Sequence, residues 1–117
     1  MDDRFKFRCW NIQNGEIKYD ILNDLEFYLS YEEIFKVLQC TGLKDKNDTL
    51  IYEGDVVKAN YITPSGKEIE EICTVKFDRC AYWIDYKYGA SYLDNEDVIY
   101  EVIGNIYENA DLLESEV

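Results

Sequence analysis

Apolar and polar residues alternate along much of this chain, which is the pattern of strands with one buried face. The first such run covers residues 5–10, whose odd-numbered positions are all apolar. Asn14 and Gly15 follow, and this pair predicts a tight turn because both residues tolerate positive φ. Residues 16–19 are therefore expected to return as a second strand.

Residues 24–38 fit two different elements. Ser30 and Glu33 have the spacing of a capping box, and Ile34, Val37 and Leu38 share one helical face, which together indicate a helix. The alternative is an extended segment that leads into the next turn. The pattern alone leaves both possibilities open.

Three turns organise the centre of the chain. Gly42 permits a sharp bend, and the polar residues 46–48 predict a reversal that brings residues 50–52 back across Leu43. A third turn at residues 53–55 starts a strand over residues 55–62. A Gly-Asp-Val-Val start of this kind recurs in SH3-like barrels, where the Asp caps the turn and the valines enter the core.

The second half of the chain is also predicted to form strands separated by turns. The turn at residues 63–66 contains the only proline of the chain, and strands are predicted at residues 67–78, 81–88 and 98–106. A short helix over residues 109–114, capped by Asn109, is expected at the end. Many short strands joined by turns favour a β-barrel or sandwich over a parallel α/β fold.

Length and composition set limits on the kind of protein. The 117 residues suit one domain spanning residues 1–117, and 47% hydrophobic residues supply a core. No apolar run approaches the roughly 20 residues that cross a bilayer, and the first residues lack the apolar stretch of a signal peptide. We expect a cytoplasmic protein without membrane contact.

Charge is the strongest compositional signal. There are 25 acidic and 12 basic residues and no histidine, which gives a net charge of −13. Such a chain is repelled by nucleic acid, so direct binding to DNA is disfavoured. Arg4, Lys6 and Arg8 form the only basic cluster, and strand spacing predicts an ordinary solvated face for it. The acidity serves solubility, imitation of DNA, or a basic partner.

The four cysteines are predicted to be structural. Their spacing is too wide and irregular for a zinc site, and Cys9 and Cys73 fall on the apolar phase of their strands. Without histidine, neither a Cys–His pair nor a Ser–His–Asp triad is available. We expect no cofactor, no metal and no enzymatic activity.

Three segments give the chain a family resemblance: Phe-Arg-Cys-Trp at residues 7–10, Thr-Gly-Leu to Ile-Tyr-Glu-Gly-Asp at residues 41–55, and Gly-Asn-Ile-Tyr-Glu-Asn at residues 104–109. Their types and order resemble the YopX family of phage and prophage proteins, which has no established biochemical activity. The matching residues are Phe7, Arg8, Trp10, Thr41, Gly42, Leu43, Asp45, Tyr52, Glu53, Gly54, Asp55, Gly104, Asn105, Ile106, Tyr107, Glu108 and Asn109.

The resemblance implies a mainly β fold, an SH3-like β-barrel with additional strands, and homo-oligomerisation, and it brings no catalytic residues. It also favours a strand over residues 35–41, preceded at most by a single helical turn. Asp48 departs from the family pattern, which usually has glycine at this position of the polar turn at residues 46–48.

Carboxylates and aromatic residues provide the candidate sites. Glu53, Asp55, Glu101 and Glu108 could hold Mg²⁺ if they converged, whereas the simpler interpretation has Asp55 capping its own turn and Glu53 solvated. The chain has eleven tyrosines and two tryptophans, which is more than a small core accommodates easily. Either both faces of the strands are covered within the fold, or a contact surface includes Trp83, Tyr88 and Tyr92.

We therefore expect a phage or prophage accessory protein that acts as a non-catalytic protein–protein interaction module. Its expected partners are copies of itself and a host or phage protein. The alternatives are a metal-dependent hydrolase that uses Glu53, Asp55 and Glu101, and an acidic inhibitor that imitates DNA on a host protein.

Overall fold

The computed structural model describes residues 3–78, 81–86, 89–93 and 97–109. The fold is mainly β, with one sheet curled into a half-barrel and a second sheet. The strands within the described ranges are β1 (Phe7–Asn11), β2 (Glu16–Tyr19), β3 (Phe35–Lys44), β4 (Leu50–Tyr52), β5 (Asp55–Ile62), β6 (Glu68–Asp78), β7 (Ala81–Tyr86), β8 (Gly89–Tyr92) and β9 (Ile99–Asn105). A short helix, α1 (Leu25–Leu29), and two 3₁₀ turns, Asp3–Phe5 and Leu22–Asp24, complete the chain order.

All of these strands pair antiparallel. The small sheet has the order β2-β1-β3-β4, and the large sheet has the order β8-β7-β6-β5-β9. The turn at Asn14 and Gly15 joins β1 to β2 as predicted, and Gly15 has a φ of 74°. The predicted start and end of β5 are confirmed, because the flanking turns separate it clearly from its neighbours.

The capping-box interpretation of Ser30 is wrong. Ser30 ends α1, and its Oγ donates a hydrogen bond to the carbonyl oxygen of Glu26 at 2.7 Å. The helical turn therefore lies before Ser30, and the strand favoured from Phe35 onward is confirmed as β3, which continues to Lys44. The helical turn was expected but its position, as α1, was not predicted, and β8, whose sequence Gly-Ala-Ser-Tyr has no apolar alternation, was missed.

Two clusters of buried side chains differ greatly in size. The large-sheet cluster consists of Ile51, Val57, Ala59, Cys73, Val75, Ile84, Leu93 and Tyr100. The small-sheet cluster consists of Cys9, Ile21 and Tyr28. Cys9, Cys40 and Cys73 are buried, as predicted for structural cysteines, and the fourth cysteine, Cys80, lies outside the described residues.

Asp48 adopts the left-handed conformation, with a φ of 67°. Glycine meets this requirement without strain, which accounts for its usual presence in the family pattern. The predicted C-terminal helix falls largely on residues 110–114, which lie outside the described residues. No helix in the described ranges is long and apolar enough to cross a membrane.

Candidate functional site

Arg8 is buried between the two sheets, so the expectation that it lies on a solvated face is wrong. Its side chain is only 3% exposed, and its Nη2 donates to Oδ1 of Asp55 at 2.7 Å and to the carbonyl oxygen of Glu53 at 3.2 Å. The other two members of the basic cluster are separate from it: Arg4 is exposed, and Lys6 pairs with Asp3. On the face of β1 opposite Cys9, Arg8 is covered by the turn at Glu53 and by Asp55 at the start of β5.

Two tyrosines flank the Arg8 guanidinium. Its Cζ lies 4.7 Å from the ring centre of Tyr52 and 5.9 Å from that of Tyr19, within cation–π range. A cavity of about 480 Å³ opens beside it, with Val102 on another wall. Within the described part of the chain, Nε of Arg8 has no acceptor, so the pairing with Asp55 leaves one buried donor unused.

Asp55 caps its own turn, as predicted. Its Oδ2 accepts a hydrogen bond from the amide of Tyr52 at 2.7 Å, while Oδ1 receives Arg8. Burial raises the pKa of the Asp55 carboxyl, and Arg8 and the Tyr52 amide oppose that rise. Glu53 was expected to be solvated but is half-buried, and burial likewise raises the pKa of its carboxyl, with Arg8 opposing.

Asp45 joins the polar turn at residues 46–48 to the large sheet. Its Oδ1 accepts hydrogen bonds from the amides of Asn47 at 2.8 Å and Thr49 at 2.9 Å, and its Oδ2 accepts one from Val102 at 2.8 Å. Burial acts to raise the pKa of Asp45, but these amides outweigh it and lower that pKa. A carboxylate with three amide donors is a structural clamp.

Thr41 performs a similar function one turn earlier. Its hydroxyl donates to the carbonyl oxygen of Ile51 at 2.8 Å and accepts from the amide of Leu43 at 3.1 Å. Together with the Asp45 clamp, these bonds hold β3, the polar turn and β4 in one arrangement.

The last motif forms a turn that is closed by two asparagines. Asn105 accepts hydrogen bonds from the amides of Tyr107 and Glu108, and Asn109 accepts one from the amide of Asn105. A Cβ on Gly104 would lie 2.5 Å from Oδ1 of Asn109, so the turn requires glycine there. The amide of Ile106 donates a hydrogen bond to the carbonyl oxygen of Gly54, which connects this turn to the second family segment, residues 41–55.

The aromatic residues of two motifs meet across the molecule. Trp10 stacks on Tyr107 with ring centres 5.6 Å apart and an interplanar angle of 23°. The Tyr107 ring also lies 3.4 Å from the position that a Cβ on Gly54 would occupy, and Gly54 has a φ of 87°. The first, second and third motifs therefore converge where the two sheets meet, and we call this region the junction.

The carboxylates considered for a metal site have separate partners. Glu101 lies 3.8 Å from Nζ of Lys46 and accepts from Asn47, while Glu108 accepts from Nδ2 of Asn105. Asp55 is committed to Arg8 and its own turn. Among the residues that the structure describes, no three acidic or cysteine side chains are placed to hold a metal ion.

The predicted contact residues on the large sheet lie side by side. Trp83 on β7 pairs in register with Tyr92 on β8, and their rings stack at 4.3 Å with an interplanar angle of 24°. Trp83 Nε1 donates to the carbonyl oxygen of Asp78, while Tyr92 remains 59% exposed. Tyr88, the third predicted member, lies outside the described residues.

A second exposed apolar surface was missed from the sequence. Phe27 and Leu29 of α1 and the adjacent Tyr31 are 52%, 56% and 44% exposed, and we call them the α1 patch. The run of apolar residues at 27–29 was a signal for it, but the uncertain element assignment of that region hid which face would be open.

Comparison with known proteins agrees with the motifs. A family model described as YopX protein matches residues 6–114. Protein EF1440 from Enterococcus faecalis is similar in structure, with a TM-score of 0.65 and 21% identity over 92% of this chain and 96% of that chain. YopX from Bacillus subtilis is also similar, with a TM-score of 0.62 and 20% identity over 92% of this chain and 95% of that one. The curated proteins give no match.

Proposed function

We propose that this chain, which belongs to the YopX family, is a phage or prophage accessory protein that works by protein contact and assembles with copies of itself. The contact surface is the face of the large sheet that carries the Trp83–Tyr92 stack. The observation that carries the proposal is Tyr92, an aromatic side chain that is 59% exposed yet held in place by a stacked tryptophan.

Such a pair suits an interface. Tyrosine and tryptophan provide large contact areas at a small loss of side-chain entropy, and both are enriched among residues that dominate binding energy. Here the stack and the Trp83 hydrogen bond have already ordered both rings before any partner arrives. Binding would therefore require little further ordering.

The family resemblance supports the finer parts of the proposal. It implies a phage or prophage gene, a cytoplasmic site of action in the bacterial host, an SH3-like barrel within the β fold, and self-association. A host or phage protein is the expected further partner. Interaction by contact, without catalysis, also agrees with the separate pairing of the carboxylates at the junction.

The test is the native mass in solution, measured by size-exclusion chromatography with light scattering at low and high salt. The wild type is expected to form an oligomer that resists salt, and Tyr92→Ala should reduce it to the monomer. Ile99→Ala is the matched control, because Ile99 is 58% exposed at the opposite edge of the same sheet. An oligomer that tolerates Tyr92→Ala, or a monomeric wild type that captures no partner through Tyr92, would refute the proposal.

A further inference from the structure

The α1 patch has the organisation of a binding surface rather than of scattered exposure. The Phe27 ring centre lies 5.2 Å from that of Tyr31 and 6.1 Å from that of Phe35, so these rings support one another. Helix α1 has five residues, of which Tyr28 alone is buried. An ordered apolar surface on a small protein marks a place of contact.

A partly apolar cleft continues the patch inward. It has a volume of about 400 Å³ and lies between β2 and α1, with Ile17, Tyr28 and Phe35 among its apolar walls. Asn11, Glu16 and Lys18 form its polar walls, and Nζ of Lys18 lies 5.9 Å from the ring centre of Tyr28. Phe27 belongs to both the cleft and the patch, so the two form one surface. A cleft of this size beside an exposed patch can receive a large apolar side chain as an anchor.

The surroundings of this surface are acidic. Between residues 16 and 36 there are six acidic side chains and two basic ones, and all six acidic residues are exposed: Glu16, Asp20, Asp24, Glu26, Glu32 and Glu33. Within the described part of the chain, the structure shows no ion pair to Glu26, Glu32 or Glu33. Their charges are therefore available to a partner.

This charge decides between two kinds of occupant. A second copy that docked by the same surface would bring its own acidic rim against this one, and like charges across an interface disfavour association. A segment with a basic rim and an apolar centre would match both features. The net charge of −13 would attract such a segment over a longer range.

We propose that the α1 patch and its cleft bind a basic amphipathic segment of a different protein. An apolar side chain of the segment enters the cleft beside Phe27 and Phe35, and its lysine or arginine side chains face Glu26, Glu32 and Glu33. This site is separate from the Trp83–Tyr92 surface, and it does not depend on self-association.

Three fluorescent peptides of equal length test the proposal by anisotropy on the full chain. One places leucine and lysine on opposite faces at the spacing of an amphipathic helix, one replaces its lysines by glutamate, and one replaces its leucines by serine. The leucine–lysine peptide is expected to bind at least about tenfold more tightly than either of the others, a difference of ~1.4 kcal/mol. Equal binding of the serine–lysine peptide would mean attraction by charge alone and would overturn the proposal, as would equal binding of the leucine–glutamate peptide.

Variants locate the site. Leu29→Ser removes an exposed apolar side chain and should weaken leucine–lysine binding about tenfold, whereas Ile62→Ser, at a position that is 71% exposed in β5, should not. Glu33→Lys should weaken binding and reduce its dependence on salt, whereas Glu68→Lys on the large sheet should have a smaller effect. Circular dichroism and the native mass are measured for each variant.

If all variants bind as the wild type does, the peptide sits elsewhere and the proposal fails. If Leu29→Ser changes the native mass instead, the patch is an interface between copies of this chain, and the proposal also fails. Neither result bears on Tyr92, so the proposed function stands or falls by its own test.

Discussion

The two sheets are built from the same kind of antiparallel strand, but they differ in what surrounds them. The large sheet covers a cluster of eight buried side chains, while the outer part of the small sheet, β1, β2 and α1, has a cluster of three. The small sheet is tied to its neighbour at one end, because Ile51 of β4 belongs to the large cluster. Away from β4, the small sheet is held by the contacts of Arg8 and Trp10 on β1 at the junction.

The difference explains where the family motifs lie. A cluster of three side chains is a weak hold for strands that also expose apolar surface, so specific contacts must fix their position on the large sheet. The Arg8–Asp55 pair, the Trp10–Tyr107 stack and the Asp45 clamp supply these contacts. The motif residues therefore have a physical role that requires no catalysis.

The largest expected effect comes from breaking the Arg8–Asp55 pair. Arg8→Ala leaves Asp55 buried without its cation, and the loss of one partner of a buried ion pair typically costs about 3–5 kcal/mol of the free energy of unfolding. We expect a loss of this size in urea unfolding. In hydrogen exchange, the amides of β1 and β2 should lose protection before those of β6, because the small sheet depends on the junction.

The control for Arg8→Ala is Lys58→Ala, which breaks the exposed pair with Glu70 at 3.8 Å. Exposed pairs contribute at most about 1 kcal/mol, so this variant should remain close to the wild type. Equal effects of the two substitutions, or uniform loss of protection in both sheets, would mean that the small sheet does not depend on Arg8.

Gly104→Ala should have a smaller effect on stability, confined to the turn formed by residues 104–109. The added Cβ would meet Oδ1 of Asn109 at 2.5 Å, and overpacking of this kind costs about 1–3 kcal/mol. In Gly104→Ala/Asn109→Ala the contacts with Oδ1 and Cγ of residue 109 are absent and the contact with its Cβ, at 2.9 Å, remains, so the double variant should lose less stability than the sum of the single ones. Simple additivity in thermal or urea unfolding would contradict the proposed clash.

The sequence was sufficient for the strands that clear turns delimit. Gly54 and the turn at residues 63–66 mark both ends of β5, and its bounds were predicted correctly. β8 could not be predicted because Gly-Ala-Ser-Tyr has no periodicity. The position of α1 was not predicted because Ser30 has the chemistry of a helix cap without showing on which side of it the helix lies.

The burial of Arg8 could not be predicted from the alternation of apolar and polar residues in a single strand. Alternation placed it opposite Cys9, and the natural inference was that this face meets water. Both faces of β1 are in fact covered, and which surface covers a strand depends on tertiary packing rather than on local sequence. The available signal was that Arg8 and Asp55 carry opposite charges in two motifs of one family.

The smallest expected effect is a change of stability with pH that depends on Glu53. Glu53 is half-buried, and burial raises its pKa from an ordinary value of 4.5. A carboxyl whose pKa is raised by folding holds its proton more tightly in the folded chain, so its contribution to stability is present below pH 4.5 and is lost as pH rises through the folded pKa. Glu53→Gln is neutral at every pH, and its free energy of unfolding should exceed that of the wild type increasingly as pH rises above 4.5.

Urea unfolding across this range measures the difference, and Glu68→Gln, at an exposed position on the large sheet, corrects for the change of one charge. A gap that closes or reverses with rising pH would mean that Arg8 stabilises the Glu53 carboxylate more than burial destabilises it. Burial raises the pKa values of Tyr82 and Tyr107, and the charge of Glu53 acts in the same direction. Because no cation in the described part of the chain is hydrogen-bonded to this carboxylate, removing its charge should strengthen the contact between the sheets.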